Sequence, residues 1–419
     1  MPWIARPTCR DTDFVRPDLP VRVLQVVSAR GLAGQRDLLG EVSALSSGLG
    51  ERGHGGEVWA AERVGCAGTE PAQTNQAGAD RPVPVRLFSN RGLRSALADK
   101  TKEFEVIHVH GPPDRTVTSA LRAARRAGVP TVLSPVGATA AGIGGRFRRH
   151  RWQRLARGGD LDGLVGLHFT SEQRRAAFPR IESRAEQVLI APHGVHHAGL
   201  GGGNSFGDWP FDGDWAAVED PVAELCAGHP ELLVCLAPLA RRGDPELLLA
   251  ALGGLPGNTH LVFAGPDRGG AALWRARIEA LGLGHRVSVQ SGVQGATRAA
   301  LLEHAVCLVL TSAEAEAGHI ALEAMAAGTP PIVSAQSPAA EWVRHGGGLV
   351  VPAEVDRWRA AIGGLLADSG RRERLARAGR ELVRERALWP SVAERFERAY
   401  LGWIGGESRA RVFRLRSVA

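Results

Sequence analysis

Short, continuous apolar runs alternate along this chain with segments whose apolar residues recur at helical spacing. Residues 21–27 (VRVLQVV), 231–236 (ELLVCL), 259–264 (THLVFA) and 306–310 (VCLVL) read as buried strands, the form that strands of a parallel sheet take. A glycine-bearing loop follows the first of them, and then a helix carrying Leu38, Leu39, Val42 and Leu45. Further strands are predicted near 58–59 and over 106–111 and 131–135, with a helix in SALRAARRAGVP between the last two. Strands joined by helices in this rhythm build βαβ units and a parallel α/β sheet. At 419 residues the chain is too long for one core and suits two such domains.

The stretch 305–335, AVCLVLTSAEAEAGHIALEAMAAGTPPIVSA, carries the chemistry. Its strand ends at Thr311-Ser312, an acidic loop runs from Glu314 to Glu316, and Gly318 opens a segment rich in helix formers that stops at Gly328. In a βαβ unit the crevice at the strands' carboxyl ends meets the free N–H groups of the next helix, where anions bind. The loop 313–319 is therefore expected to face a phosphorylated ligand. Glu323, within the helix's first turns, suits hydroxyl donors better than phosphate, which a carboxylate repels.

Composition narrows the partners. With 44% hydrophobic and 23% charged residues the chain reads as ordinary globular protein. A net charge of +7 and a pI near 9.9 favour anionic partners such as nucleotides, phosphate groups or an acidic membrane surface. Five scattered cysteines without a C-x-x-C pair argue against a disulfide framework or zinc site and for a reducing compartment. Residues 1–20 are charged and broken by prolines, unlike a signal peptide or anchor. No apolar run approaches the ~20 residues that span a bilayer, so a cytoplasmic protein is expected.

Two motifs are set aside on their context. Gly48 to Gly53 spells G-x-G-x-x-G but falls at a helix's end, where it cannot cradle a dinucleotide. Asp212-Gly213-Asp214 lies in the glycine-rich stretch 199–220, a predicted linker, and reads as a turn instead of a metal site. The basic run 146–157, RFRRHRWQRLAR, interleaves Phe147, Trp152 and Leu155. It reads as a solvated helix face with core anchors, with contact to an anionic membrane surface or a lipid-diphosphate acceptor as the second reading. No nucleic-acid motif accompanies the charge.

The 305–335 stretch resembles the donor-sugar signature of glycosyltransferase family 4, retaining nucleotide-sugar enzymes of the GT-B fold. The similarity spans roughly 21–403 and includes IHVHG (107–111), HFTSE (168–172), IAPHGV (190–195), AGPD (264–267), RVSVQSG (286–292) and GGGLVVP (346–352). It implies two Rossmann-like, doubly wound parallel-sheet domains facing across a cleft: an acceptor-side domain over 1–198, a linker over 199–230 and a donor-binding domain over 231–388. A final segment, 389–419, would hold a helix crossing back to the first domain and a basic tail.

The resemblance also assigns roles. Glu323 takes the place of the carboxylate that grips the nucleotide's ribose, while the partner carboxylate's position falls on Ala315, flanked by the candidates Glu314 and Glu316. Arg242 occupies the place of a lysine that neutralises the donor diphosphate; the companion arginine's place is Ala237 or Pro238. Gly265, Gly292, Gly318 and His319 are expected on the donor side, with Gly292 near the base. Gly31 and Gly34, in an altered glycine loop, and His110 and Gly137 are expected on the acceptor side, with Val136 where many members have a sugar-binding histidine. Acceptor choice would lie in loops at 67–100 and 138–160. The implied activity is transfer of a sugar from a nucleotide-sugar to a glycan or lipid-linked acceptor in cell-surface polysaccharide or glycoconjugate synthesis, without metal or other cofactor. The alternative is a catalytically impaired relative that binds a nucleotide or partner as a scaffold.

Overall fold

A computed structural model describes residues 20–28, 38–61, 73–74, 83–135, 143–195, 228–240, 245–293, 295–311, 317–405 and 412–413. The first sheet contains β1 (Arg22–Val27), β2 (Gly55–Ala61), β3 (Gln73–Thr74), β4 (Val85–Phe88), β5 (Val106–Gly111), β6 (Thr131–Pro135), β7 (Leu164–Phe169) and β8 (Ala185–Ile190). The second contains β9 (Glu231–Leu236), β11 (Thr259–Gly265), β13 (Val287–Ser291), β14 (Cys307–Leu310), β15 (Pro331–Ser334) and β16 (Leu349–Val351); β10 (Leu239–Ala240) and β12 (Asp267–Arg268) pair separately at its rim. A last short strand, β17 (Val412–Phe413), pairs with β8.

Strand order is β17-β8-β7-β6-β5-β1-β2-β4-β3 in the first sheet and β13-β11-β9-β14-β15-β16 in the second. Every pairing in these sheets is parallel except β3 with β4. Two lobes of parallel sheet are thus present, as the apolar runs predict. In each, the chain order reverses beside the lobe's first strand, between β1 and β5 and between β9 and β14. Such a reversal opens a crevice at the strands' carboxyl ends.

The helices of the first lobe are α1 (Leu38–Glu51), α2 (Asn90–Lys100), α3 (Arg115–Ala127), α4 (Ile143–Arg157), α5 (Glu172–Ala176) and α6 (Pro179–Glu182). Those of the second are α7 (Glu246–Leu252), α8 (Ala271–Ala280), α9 (Gly295–His304), α10 (Ala317–Ala327), α11 (Ala339–Val343), α12 (Val355–Ala367) and α13 (Ser369–Arg386), followed by α14 (Trp389–Ile404). The expectation of loops at 67–100 and 138–160 is corrected here by β4, α2 and α4. Ser89 caps α2 by accepting from the Gly92 N–H, and Leu93 and Leu97, one turn apart, are buried.

Among the described residues the lobes are tied at two places. At the first, the Val195 N–H donates to Ala387 O at 2.7 Å, and α14 then lies on the first sheet, packing Phe396, Tyr400 and Trp403 with Val23, Val106, Val132 and Leu189. Gly166 and Gly194 permit this: a Cβ on either would stand within 2.6 Å of Trp403 or Trp389 ring atoms. At the second, the Glu341 carboxylate of α11 accepts the Glu172 N–H at 2.9 Å, at the start of α5 in the other lobe.

Among the described residues no helix is long and apolar enough to cross a membrane. Trp152 of the basic run is fully buried against Phe178 and serves the core, while Arg151, Arg154 and Arg157 are exposed.

Candidate functional site

The carboxyl rim of the second sheet brings several candidates into one neighbourhood. Following strand order, Gly292 follows β13, Gly265 ends β11, Ala237 follows β9 and Thr311 follows β14. The Gly292 N–H donates to Gly265 O at 3.1 Å and the Ala237 N–H to Ala264 O at 3.0 Å, so these backbones lie side by side. Gly265 has φ near 155°, and a Cβ there would stand 2.2 Å from Ala237 O; packing of adjacent chain segments requires this glycine. Gly292, at φ 79°, is exposed and has open space where a Cβ would be.

Beyond β14, α10 starts at Ala317, with Gly318 buried one residue inside it. The first N–H groups of a helix have no intrahelical partner. Two turns along, Glu323 is partly exposed, its side chain retaining 22% of its accessible surface. Its Oε2 accepts from Nη2 of Arg298 on α9, and its Oε1 lies 3.1 Å from Nε2 of His319, one turn earlier on α10. Glu323 and His319 thus meet as the helical i, i+4 spacing dictates. Arg298 joins them across a helix pair and was not expected from sequence. Its only signal was a single charge in the otherwise apolar or small segment 295–302.

Asp267, at the same rim, accepts from the N–H groups of Gly269, Gly270 and Ala271 at 2.8, 3.0 and 3.2 Å. The bond from Ala271, with the two others, holds its carboxyl below the usual range. The AGPD motif is therefore a self-contained turn leading into α8.

In the first lobe His110 is buried on β5, its Nε2 2.7 Å from Gln25 Oε1. Its Nδ1 has no hydrogen-bond partner among the described residues. Beside it runs a buried polar chain that sequence reasoning did not anticipate. Tyr400 Oη lies 2.7 Å from His108 Nδ1, His108 Nε2 lies 2.6 Å from Ser134 Oγ, and Ser134 Oγ lies 2.7 Å from His168 Nδ1. His168 Nε2 ends the chain at 2.9 Å from Ala191 O. Desolvation, with the neighbouring histidines second, pushes the pKa values of His108 and His110 well below normal. Desolvation and His193 bring that of His168 to about 3. The available signal was a polar residue at alternate positions of otherwise apolar strands: Gln25 between Val23 and Val27, and His108 and His110 after Val106.

Arg242, Glu314, Glu316, Gly31, Gly34 and Gly137, together with Ala315 and Val136, lie outside the described residues.

Residues 219–382 match the family described as Glycosyl transferases group 1. A D-inositol 3-phosphate glycosyltransferase of Mycobacterium marinum is 38% identical over 128 residues, 29% of this chain and 27% of that protein. An uncharacterized glycosyltransferase of Methanocaldococcus jannaschii is 33% identical over 122 residues, 29% of this chain and 31% of that protein. The chain thus aligns with less than a third of the length of either relative. Whole-chain likeness appears in solved structures. The Anabaena protein HepE in complex with UDP and glucose has a TM-score of 0.65 at 16% identity, covering 90% of this chain and 98% of that one. Sucrose-phosphate synthase from Thermosynechococcus elongatus has a TM-score of 0.64 at 19% identity, again covering 90% and 98%. The fold is GT-B, two Rossmann-like domains.

Proposed function

We propose, from a GT-B fold whose second lobe carries a group 1 glycosyl transferase domain, that the protein is a family 4 glycosyltransferase. It moves a sugar, with retention, from a nucleotide-sugar to a glycan or lipid-linked acceptor. The observation that carries this reading is the partly exposed Glu323 on α10, directly after the β9/β14 reversal. Ribose hydroxyls donate to its carboxylate, the diphosphate lies toward the start of α10, and the base lies toward the open backbone at Gly292. Arg242 supplies charge to the leaving diphosphate, which gains negative charge as the glycosidic bond breaks. Glu314 and Glu316 are the candidates for the sugar's hydroxyls, and Gly31, Gly34, His110 and Gly137 line the acceptor side. We divide the chain into a first lobe over 1–198, a linker over 199–230, a donor lobe over 231–388 and a return segment over 389–419.

UDP-glucose is the first donor to try, since UDP and glucose are the ligands of the similar HepE structure. The exposed row Arg151, Arg154 and Arg157 on α4 suits peripheral contact with an acidic membrane face, and with it a lipid-linked acceptor and glycoconjugate synthesis on the cytoplasmic side. The test is nucleoside-diphosphate release from a panel of UDP-, GDP- and ADP-sugars. Release from at least one donor is expected, falling about 10- to 100-fold in Glu323→Ala, the order of loss for one hydrogen-bonded charge at the donor. Absence of release and of nucleotide binding across the panel would overturn the reading.

A further inference from the structure

The Glu323 carboxylate is held from two sides, by the Arg298 guanidinium at Oε2 and by His319 at Oε1. Arg298 reaches it from a different helix, 25 positions earlier in the chain. Its Nε is buried without an acceptor among the described residues, and no second carboxylate there shares the guanidinium. Glu323 is thus the acidic group that Arg298 orients and is oriented by.

That pairing does two things for a ribose-binding carboxylate. A glutamate side chain at a half-open surface samples several rotamers, and fixing it on binding is an entropic cost. The Arg298 guanidinium at Oε2 and the His319 ring at Oε1 together hold the carboxylate in one setting before the ligand arrives. The second effect is electrostatic. A bare carboxylate two turns along α10 still opposes a diphosphate held at that helix's N-terminus; an attached guanidinium cancels that charge while leaving the oxygens as hydrogen-bond acceptors.

We infer that Arg298 is a positioning residue for nucleotide recognition: through its ion pair it presets Glu323 for the ribose hydroxyls and removes the repulsion between Glu323 and the diphosphate. This rests on the ribose reading of Glu323 given above. Arg298 itself touches neither ribose nor the reacting atoms.

The test measures affinity for whichever of UDP, GDP and ADP binds wild-type protein most tightly, and for its 2′,3′-dideoxy form. Wild type should prefer the ribonucleotide about tenfold or more, the range for one charged hydrogen-bond acceptor. Glu323→Gln should reduce that preference severalfold. Arg298→Met, which keeps the aliphatic stem, should shrink the preference at least threefold, and Arg298→Lys, which keeps charge without the planar fork, should fall between. A wild-type preference near one overturns the ribose reading of Glu323 and this inference with it. A full wild-type preference retained in Arg298→Met overturns the role of Arg298 alone. Equal weakening of both ligands in Arg298→Met, with the ratio unchanged, leaves only a charge effect on the diphosphate and overturns the positioning role.

Discussion

The two lobes place polar groups near the carboxyl ends of their strands in opposite ways. In the first lobe the groups are neutral, buried and linked to one another; in the second they are charged, partly exposed and poised at the rim. The first arrangement fixes its own proton positions. Ala191 O can only accept, so His168 Nε2 donates to it and its Nδ1 accepts from Ser134. Ser134 Oγ must then accept from His108 Nε2, and His108 Nδ1 from Tyr400. Tyr400 Oη, 3.4 Å from Gln25 Nε2, accepts in turn, and Gln25 Oε1 accepts from His110 Nε2. One direction of donation runs from β5 through α14 to the end of β8, and it requires the His108 and His168 imidazoles, each donating from one nitrogen and accepting at the other, to be neutral. The Glu323 cluster has no such closure: its charges are balanced by Arg298 while its surface stays open. A closed chain of neutral groups is a means of holding α14 to the sheet, whereas an open charged cluster is a means of meeting a ligand.

The sharpest way to break this contrast is acid. The folded pKa values of His108, His110 and His168 are depressed, while an unfolded histidine titrates near 6.5. Below that pH the unfolded chain takes up protons that the folded one refuses. Stability is therefore level above about pH 6.5 and falls below it, by about 1.4 kcal/mol per pH unit for each histidine that stays neutral. For His168 the loss continues to its folded value of about 3. Urea unfolding between pH 8 and pH 5 should show the slope, and His168→Gln should remove about one histidine's share. A pH-independent midpoint would mean that these imidazoles are not held neutral.

Next in size is a cut in the chain itself. His108→Leu leaves the Tyr400 hydroxyl and Ser134 Oγ without their shared partner in a site that water does not reach. The expected loss is about 2–4 kcal/mol in unfolding free energy, from two buried groups left unsatisfied. Glu323→Ala, by contrast, should change stability by less than about 1 kcal/mol, the usual range for a half-exposed ion pair. Its effect belongs in nucleotide affinity. If both variants lost similar stability, the division between a structural and a binding cluster would fail.

What the sequence revealed follows the same division. Strands covered on both faces announce themselves by largely apolar runs, so β9, β11 and β14 were readable within a residue or so, and β5 was readable despite His108 and His110. The segment 83–100 was not: β4 holds Arg86 among three apolar residues, and α2 buries only Leu93 and Leu97. The Glu323 helix was legible because helix formers run unbroken to Gly328, and the place of His319 one turn earlier follows from helical spacing. Arg298 was not legible, because a contact between two helices leaves no local trace in the spacing of either. The histidine chain draws its links from β1, β5, β6 and β7 and another from a helix near the chain's end, and no short window of sequence contains it.

The smallest expected effect concerns the junction between the two lobes. Glu341 on α11 takes the Glu172 N–H at 2.9 Å and lies 3.5 Å from that of Gln173, while the Gln173 side chain donates to Gln336 O at 3.3 Å. Burial raises the Glu341 pKa, and the backbone donors of α5 oppose that rise. These bonds satisfy the first N–H groups of α5, a five-residue helix that Ser171 also caps, so they do for a helix end what a cap residue does, but from the opposite lobe. Glu341→Ala should then cost about 1 kcal/mol, the usual value of a cap, and Glu341→Gln less, since an amide oxygen still accepts. Neither variant touches the α14 packing or the Val195–Ala387 bond, so the lobes stay joined and only their separation should spread. Paired spin labels on α5 and α11 should report a broader distance distribution in Glu341→Ala than in wild type, with the histidine-dependent pH slope unchanged. A distribution as narrow as wild type would show that α14 alone sets the angle between the lobes, and that the Glu341 contact follows from that angle instead of helping to fix it.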